Sequence, residues 1–310
     1  MAEYSIGVDL GGTNLRAAAI DCHGKMLEKI SGSTKLSEGR HAVIADMVGA
    51  IRRLRDSLGA QRLAGVGIGT PGFIIMEKGI ITGSPNLPEF DNFPIRDEIE
   101  RLLRAPVILE NDANAAALGE KWMGAGREVD DLVLLTLGTG IGGGVIIGGR
   151  VLHGFVGMAG ELGHMTVVPT GNPCGCGNTG CLEKHASATA VSAMAKLMGL
   201  GDSLTAEDVY NLAVEGNAKA RTVFAMMGQA LGTALANLVN AFNFPLYLLS
   251  GGMLPAWDLF APAMFEECRR RSFVFRNTGT RIEKAILGNE AGLYGAAYLP
   301  IQARIIEATT

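Results

Sequence analysis

Residues 4–20 read YSIGVDLGGTNLRAAAI, and residues 132–147 read LVLLTLGTGIGGGVII. Each stretch is an apolar run, a glycine turn carrying a threonine, and a second apolar run. Short apolar runs bounded by glycine read as buried strands. Strands are therefore predicted at Tyr4–Leu10 and Leu15–Ile20, with Met26–Ile30 as a third, and again at Leu132–Leu137 and Gly144–Ile147. A unit that recurs in each half predicts two related lobes with a cleft between them.

The turns carry the first chemical signal. Asp9 and the run Gly11-Gly12-Thr13-Asn14 lie at a strand end, where glycine lets main-chain N–H groups approach an anion without an intervening Cβ. Asp9 suits a hydrated Mg²⁺ beside phosphates. An ordinary hairpin turn would look the same. The second turn, Gly138-Thr139-Gly140-Ile141-Gly142-Gly143, matches the dinucleotide pattern G-x-G-x-x-G. That pattern needs a helix to open at its third glycine, whereas a strand follows here. The two turns fit a nucleotide held from both sides. A third pair, Gly251-Gly252, follows the predicted strand Leu246–Leu249. It would let an adenine or ribose lie against backbone, or simply open a helix.

Elsewhere helical spacing predicts helices at His41–Leu58, Pro94–Leu103, Ala113–Trp122, Ser187–Met198, Thr205–Val214, Ala218–Phe242 and Glu290–Ile306. Strands are predicted at Ala64–Ile68, Val107–Leu109 and Ile282–Leu287.

Bulk properties narrow the function. The net charge of −4 with no long basic stripe argues against a nucleic-acid partner. No charged segment followed by an apolar core opens the sequence, so no signal peptide is predicted. Five cysteines, three of them clustered, point to a reducing, cytoplasmic setting and to metal binding rather than disulfides. The apolar stretch 222–257 contains Gly228-x-x-x-Gly232, a spacing found where membrane helices pair. Gln229, Asn237, Asn240 and Pro245 interrupt it, so a buried helix followed by a buried strand is expected and no membrane partner.

Several segments occur together in the order of a known family. They are Asp9-Leu-Gly-Gly-Thr-Asn14, Gly69-Thr-Pro-Gly72, Asn86-Leu-Pro88, the run Glu110-Asn-Asp-Ala-Asn to Glu120, Leu137 to Gly144, Gly160-Glu-Leu-Gly-His164 and Cys174-Gly-Cys to Glu183. The chain resembles the ROK family of sugar kinases and sugar-responsive repressors, and within it the bacterial glucokinases. The resemblance implies an α/β chain with the two-lobed hexokinase and actin-like ATPase fold, built of ribonuclease H-like repeats around an interlobe cleft. It implies a small lobe of residues 1–115 plus 292–310 and a large lobe of residues 116–291.

It also implies ATP with Mg²⁺, a hexose substrate, a structural Zn²⁺ and a homodimer. Asp112 looks like the family's catalytic base, although an Asn-Asp pair at a helix start is commonly a cap. Asn111, Asp112, Glu161, His164 and Glu183 are expected on the sugar. Asp9, Gly11, Gly12, Thr13, Asn14, Gly138, Thr139, Gly140, Gly251 and Gly252 are expected on the nucleotide. Cys174, Cys176 and Cys181 form C-x-C-x₄-C, and with His164 they match a closed tetrahedral zinc site; three reduced buried cysteines are the alternative. Cys22, Cys268, His23, His41 and His153 match no pattern. His185 stands where many relatives have an aromatic residue.

The implied reaction is transfer of the γ-phosphoryl group of ATP to the 6-hydroxyl of glucose. N-acetylglucosamine or N-acetylmannosamine kinases are the rivals, and a sugar sensor without turnover is a third reading.

Overall fold

The computed structural model describes residues 3–84 and 87–309, so Asn86 of the quoted motifs lies outside the described residues. The chain divides into two compact units. The first takes Met1–Asp130, Gly144–Gly160 and Ile286–Thr310, and the second takes Asp131–Gly143 and Glu161–Ala285.

The chain opens with β1 (Glu3–Leu10), β2 (Asn14–Asp21), β3 (Met26–Ser33), α1 (Arg40–Leu58), β4 (Arg62–Thr70), β5 (Phe73–Ile75), β6 (Ile80–Thr82), α2 (Ile95–Leu103), β7 (Val107–Asn111) and α3 (Asp112–Met123). It continues with β8 (Leu132–Leu137), β9 (Ile141–Ile147), β10 (Arg150–Val151), α4 (Glu183–Ala186), α5 (Ala188–Leu197), α6 (Ala206–Val214) and α7 (Ala218–Phe242). It closes with β11 (Leu246–Ser250), α8 (Trp257–Arg271), α9 (Phe273–Asn277), β12 (Arg281–Lys284) and α10 (Ala291–Thr309).

In the first unit the sheet order is β3-β2-β1-β4-β7. The hairpins β1–β2 and β2–β3 are antiparallel, while β1, β4 and β7 run parallel. Helix α1 buries Val43, Ile44, Met47, Val48, Ile51 and Leu54, the periodic positions read from sequence, in one core with the sheet. Helix α10 packs on β1 and β4, and the Ser5 hydroxyl donates to the Ala297 carbonyl at 2.5 Å.

The second sheet runs β10-β9-β8-β11-β12, with β8, β11 and β12 parallel. Its connectivity matches that of the first: a strand, two further strands on one side, and two parallel strands on the other. The duplicated unit expected from residues 4–20 and 132–147 is therefore present as two sheets of one topology. Strand β11 is buried throughout, as a parallel strand covered on both faces must be.

The apolar stretch 222–257 resolves into most of α7, then β11 and the turn after it. Helix α7 is long and apolar enough to cross a membrane by composition, yet 67% of its most apolar window is buried inside the protein. Gly228 and Gly232 face the α8 backbone at Phe260 and Met264, where a Cβ would collide. The spacing therefore serves close packing of two helices in a core.

Boundaries differ from expectation in several places. The division at residue 115 falls inside α3, which is unbroken, so residues 116–130 stay in the first unit. Residues 144–160 and 286–291 also join the first unit. The predicted turn 138–143 is shorter, because β9 begins at Ile141. Strand β12 ends at Lys284 rather than 287, since the N–H groups of Ile286 and Leu287 donate to the buried Glu120 carboxylate at 3.1 and 2.7 Å.

Candidate active site

Strand register brings the predicted residues of the first unit together. Asp9 pairs across the sheet with Gly69, and Gly69 with Glu110, so the ends of β1, β4 and β7 form one row. Ligands of open α/β sheets bind at the carboxyl ends of such strands. The first glycine turn closes with Gly11 N–H donating to the Asn14 carbonyl at 2.9 Å. Thr34 braces it: its N–H donates to the Thr13 carbonyl and its hydroxyl to the Gly11 carbonyl, both at 2.8 Å. Asp9 is ion-paired with Arg16, whose other guanidinium nitrogen donates to the Asn289 carbonyl at 2.7 Å. Burial raises the Asp9 carboxyl above its ordinary value, and Arg16 opposes the shift.

Strand β7 passes into α3 through a sharp elbow. Asn111 is the helix cap: its side-chain oxygen accepts from the N–H groups of Ala113 and Asn114 at 2.9 and 3.2 Å. Its amide donates to the Gly72 carbonyl at 3.2 Å. Asn111 holds the cap position; Asp112 Oδ1 shares the Ala113 N–H, at 2.8 Å, and its side chain stays open to solvent. The protein around it still strips away enough water to raise its carboxyl, and the negative charge of Asp9 adds to the shift. A reachable aspartate with a raised pKa is suited to take a proton. The buried Ser84 hydroxyl, beside Gly72, has no hydrogen-bond partner among the described residues.

In the second unit, Thr136 at the end of β8 pairs with Ser250 at the end of β11. This sets the second glycine turn beside Gly251-Gly252. Gly251 has φ of +100° and its missing Cβ leaves room for the Leu137 backbone, so no other residue fits. Gly138, Thr139, Gly252, Met253, Tyr210 and Asn211 line a cavity of about 700 Å³. Glu183 meets the same turn: one carboxylate oxygen accepts from Ile141 N–H at 3.3 Å, and the other lies 3.5 Å from the Lys184 ammonium.

Glu161 is half-exposed, with its carboxylate 3.9 Å from His164 Nε2. The opposite nitrogen, Nδ1, lies 3.6 Å from Cys174 Sγ, and Cys176 Sγ lies 3.7 Å from Cys181 Sγ. All four donor atoms fall within 4.8 Å of one another. A tetrahedron with Zn–S near 2.3 Å has S···S edges of about 3.8 Å, so these residues fit zinc. The surrounding loop has little regular structure and gains two isolated bridges, Thr166–Cys181 and Pro173–Thr179. His185 packs against Gly171 of this loop, its Nε2 buried without a hydrogen-bond partner among the described residues.

The sequence model of the ROK family matches residues 5–303. The chain belongs to the ROK family. A ROK relative named glucokinase, from Halalkalibacterium halodurans, is 38% identical, covering 96% of this chain and 94% of the relative. The crystal structure of a ROK hexokinase from Thermus thermophilus is similar with a TM-score of 0.89 at 37% identity, covering 98% of this chain and 99% of that one. A ROK glucokinase from Streptomyces griseus, solved in complex with glucose and AMPPNP, gives 0.79 at 32% identity, covering 96% and 99%. The fold is the two-lobed hexokinase and actin-like ATPase fold of these ROK proteins.

Five features of this ROK site escaped sequence reading: Arg16 on Asp9, Thr34 under the first turn, Ser84 beside Gly72, Tyr210 and Asn211 in the second-unit cavity, and His153. The last lies 2.7 Å from the buried Glu110 carboxylate. None belongs to a quoted motif; apart from Arg16, seven residues from Asp9, each is brought in by the fold from a separate segment.

Proposed function

We propose that the chain is a glucokinase, an ATP-dependent hexokinase that transfers the γ-phosphoryl group to the 6-hydroxyl of glucose. The observation that carries this is Asp112: an aspartate beside the Asn111 cap, reachable by solvent and raised in pKa, on the unit that holds Asp9 and the first phosphate turn. Asp112 takes the proton of the 6-hydroxyl as that oxygen attacks the γ-phosphorus and the β–γ bridging oxygen leaves on ADP. Asn111, Glu161, His164 and Glu183 are assigned to the sugar hydroxyls, which carboxylates suit as acceptors.

The turns at Gly11–Asn14 and Gly138–Gly140 are assigned to the phosphates, and the cavity beside Gly252 to the adenosine. Asp9 would hold Mg²⁺ through its waters; when bound, that ion offsets phosphate charge. His164, Cys174, Cys176 and Cys181 would hold zinc with no open position, so its role is structural. The family reading extends to a cytoplasmic homodimer, which sedimentation of the purified protein checks.

A coupled assay with ATP and Mg²⁺ across glucose, mannose, fructose, N-acetylglucosamine and N-acetylmannosamine tests the assignment. Glucose should give the highest kcat/KM. Binding of sugar without turnover would make the chain a sensor instead.

A further inference from the structure

Glu110 is 1% exposed, yet it sits one residue before the elbow that presents Asp112. A buried carboxylate must be hydrogen-bonded and charge-compensated to be tolerated. Its Oε1 accepts from Asn111 N–H at 2.9 Å and from Asn114 Nδ2 at 3.1 Å. These two donors flank Asp112 in the chain, so one carboxylate grips the elbow on both sides of it. Its Oε2 has a different partner, His153 Nε2 at 2.7 Å.

His153 stands at the foot of a loop. Ala159 N–H donates to the His153 carbonyl at 3.2 Å, which closes residues 153–159 into a compact turn. Gly157 within it lies against the Ile74 carbonyl of β5, where a Cβ would collide. The loop is thus fixed at two points, on β7 through His153 and on β5 through Gly157. Its tip, by contrast, leaves Phe155 fully exposed.

We propose that His153 is a positioning residue for the phosphoryl transfer, holding Glu110 so that the β7–α3 elbow aims Asp112. This rests on the reading of Asp112 as the base. His153 is drawn to the charged form by its hydrogen bond to Glu110, which outweighs the opposing effect of burial. Among the described residues, Glu110 is the carboxylate that acts on the imidazole; Asp112 lies two residues further along the chain, and Asp9 acts in turn on Asp112. With His153 removed, Oε2 of Glu110 is left buried and unpaired, and the elbow gains a reason to move.

The test compares His153→Ala, His153→Gln and Glu110→Gln with the unaltered protein. Misplacing a reacting group slightly costs about ten- to hundredfold in kcat, so His153→Ala should fall by about that much. Its KM for ATP should stay within about twofold, because binding and chemistry separate in such a variant. His153→Gln keeps a donor to Oε2 and should recover most of the loss. A neutral imidazole keeps its Nε2–H as donor to Oε2, so deprotonation of the imidazolium should leave kcat of the unaltered protein level, as in the glutamine variant.

In NMR, the histidine signal missing from His153→Gln should titrate above the ordinary histidine value, and fall back in Glu110→Gln. Wild-type kcat and pH profile in His153→Ala would overturn the inference. So would equal losses in both His153 variants. Failure of the unaltered protein to phosphorylate any hexose would sink the kinase reading instead, while the NMR titration would still decide the Glu110–His153 pair.

Discussion

At the scale of single residues, Asn111 and Asp112 divide the labour that their sequence context leaves ambiguous. An Asn-Asp pair before a helix is more commonly a cap than chemistry; here Asn111 holds the cap position and Asp112 accepts from the N–H of Ala113. Asp112→Asn should lower kcat by about 10²- to 10⁴-fold, the range for loss of a general base, with glucose affinity largely kept. Isothermal titration beside steady-state kinetics separates the two effects. The pH dependence follows from the sign of the shift. Asp112 acts ionised, and its folded pKa lies above that of an ordinary aspartate. Turnover should therefore decline on acidification at a higher pH than a free aspartate would give, and Asp112→Asn should show no such limb. For stability the same shift runs the other way: the folded form binds the proton more tightly, so this group's contribution weakens as pH rises from the unfolded pKa through the folded one. Asp112 was legible because its neighbours form a dense local motif. Its supports were not: Glu110 and His153 are 43 residues apart, and nothing in either flank announces the other.

At the scale of elements, periodicity carried most of the assignment. Helix α7 was legible to both ends, Ala218 and Phe242, because its apolar positions repeat without a break and Asn217 and Asn243 cap it. Helix α8 was not, because Pro262 lies inside it and three consecutive arginines end it, and both features read as helix breaking or solvated loop. The zinc loop is the opposite case. Its cysteine spacing was plain, while its conformation had no period to reveal. Cys181→Ser should therefore release zinc and loosen the segment 161–183. Changes outside the ligand set alone weaken metal sites by about 10–100-fold, so loss of a ligand should exceed that. Metal analysis by mass spectrometry and thermal unfolding check it. Full activity and unchanged unfolding in zinc-free protein would show that the cluster is incidental.

At the scale of the whole molecule, the two sheets of one connectivity were foreseen from two short stretches, but the boundary between units was not. Sequence offers a cut where composition changes, whereas the chain here passes between units several times and α3 runs through the expected cut. A protein that binds both a sugar and a nucleotide should gain stability from each. At a ligand concentration of 100 Kd the gain is about 2.7 kcal/mol. That corresponds to a rise of about 2–4 °C in Tm per kcal/mol for chains somewhat smaller than this one. Differential scanning calorimetry with glucose, then with a non-hydrolysable ATP analogue, checks this; no shift with either would leave the site without ligands. The packing of α10 on β1 and β4 has a further outcome. Ser5 and Ala297, joined by a hydrogen bond, stand 292 residues apart. On the ribosome, the opening strands must wait through nearly all of translation before the helix that covers them is made. Their exposed apolar face is then a ready substrate for chaperones, whereas the contiguous stretch from Glu161 to Ala285 is synthesised whole before α10 exists.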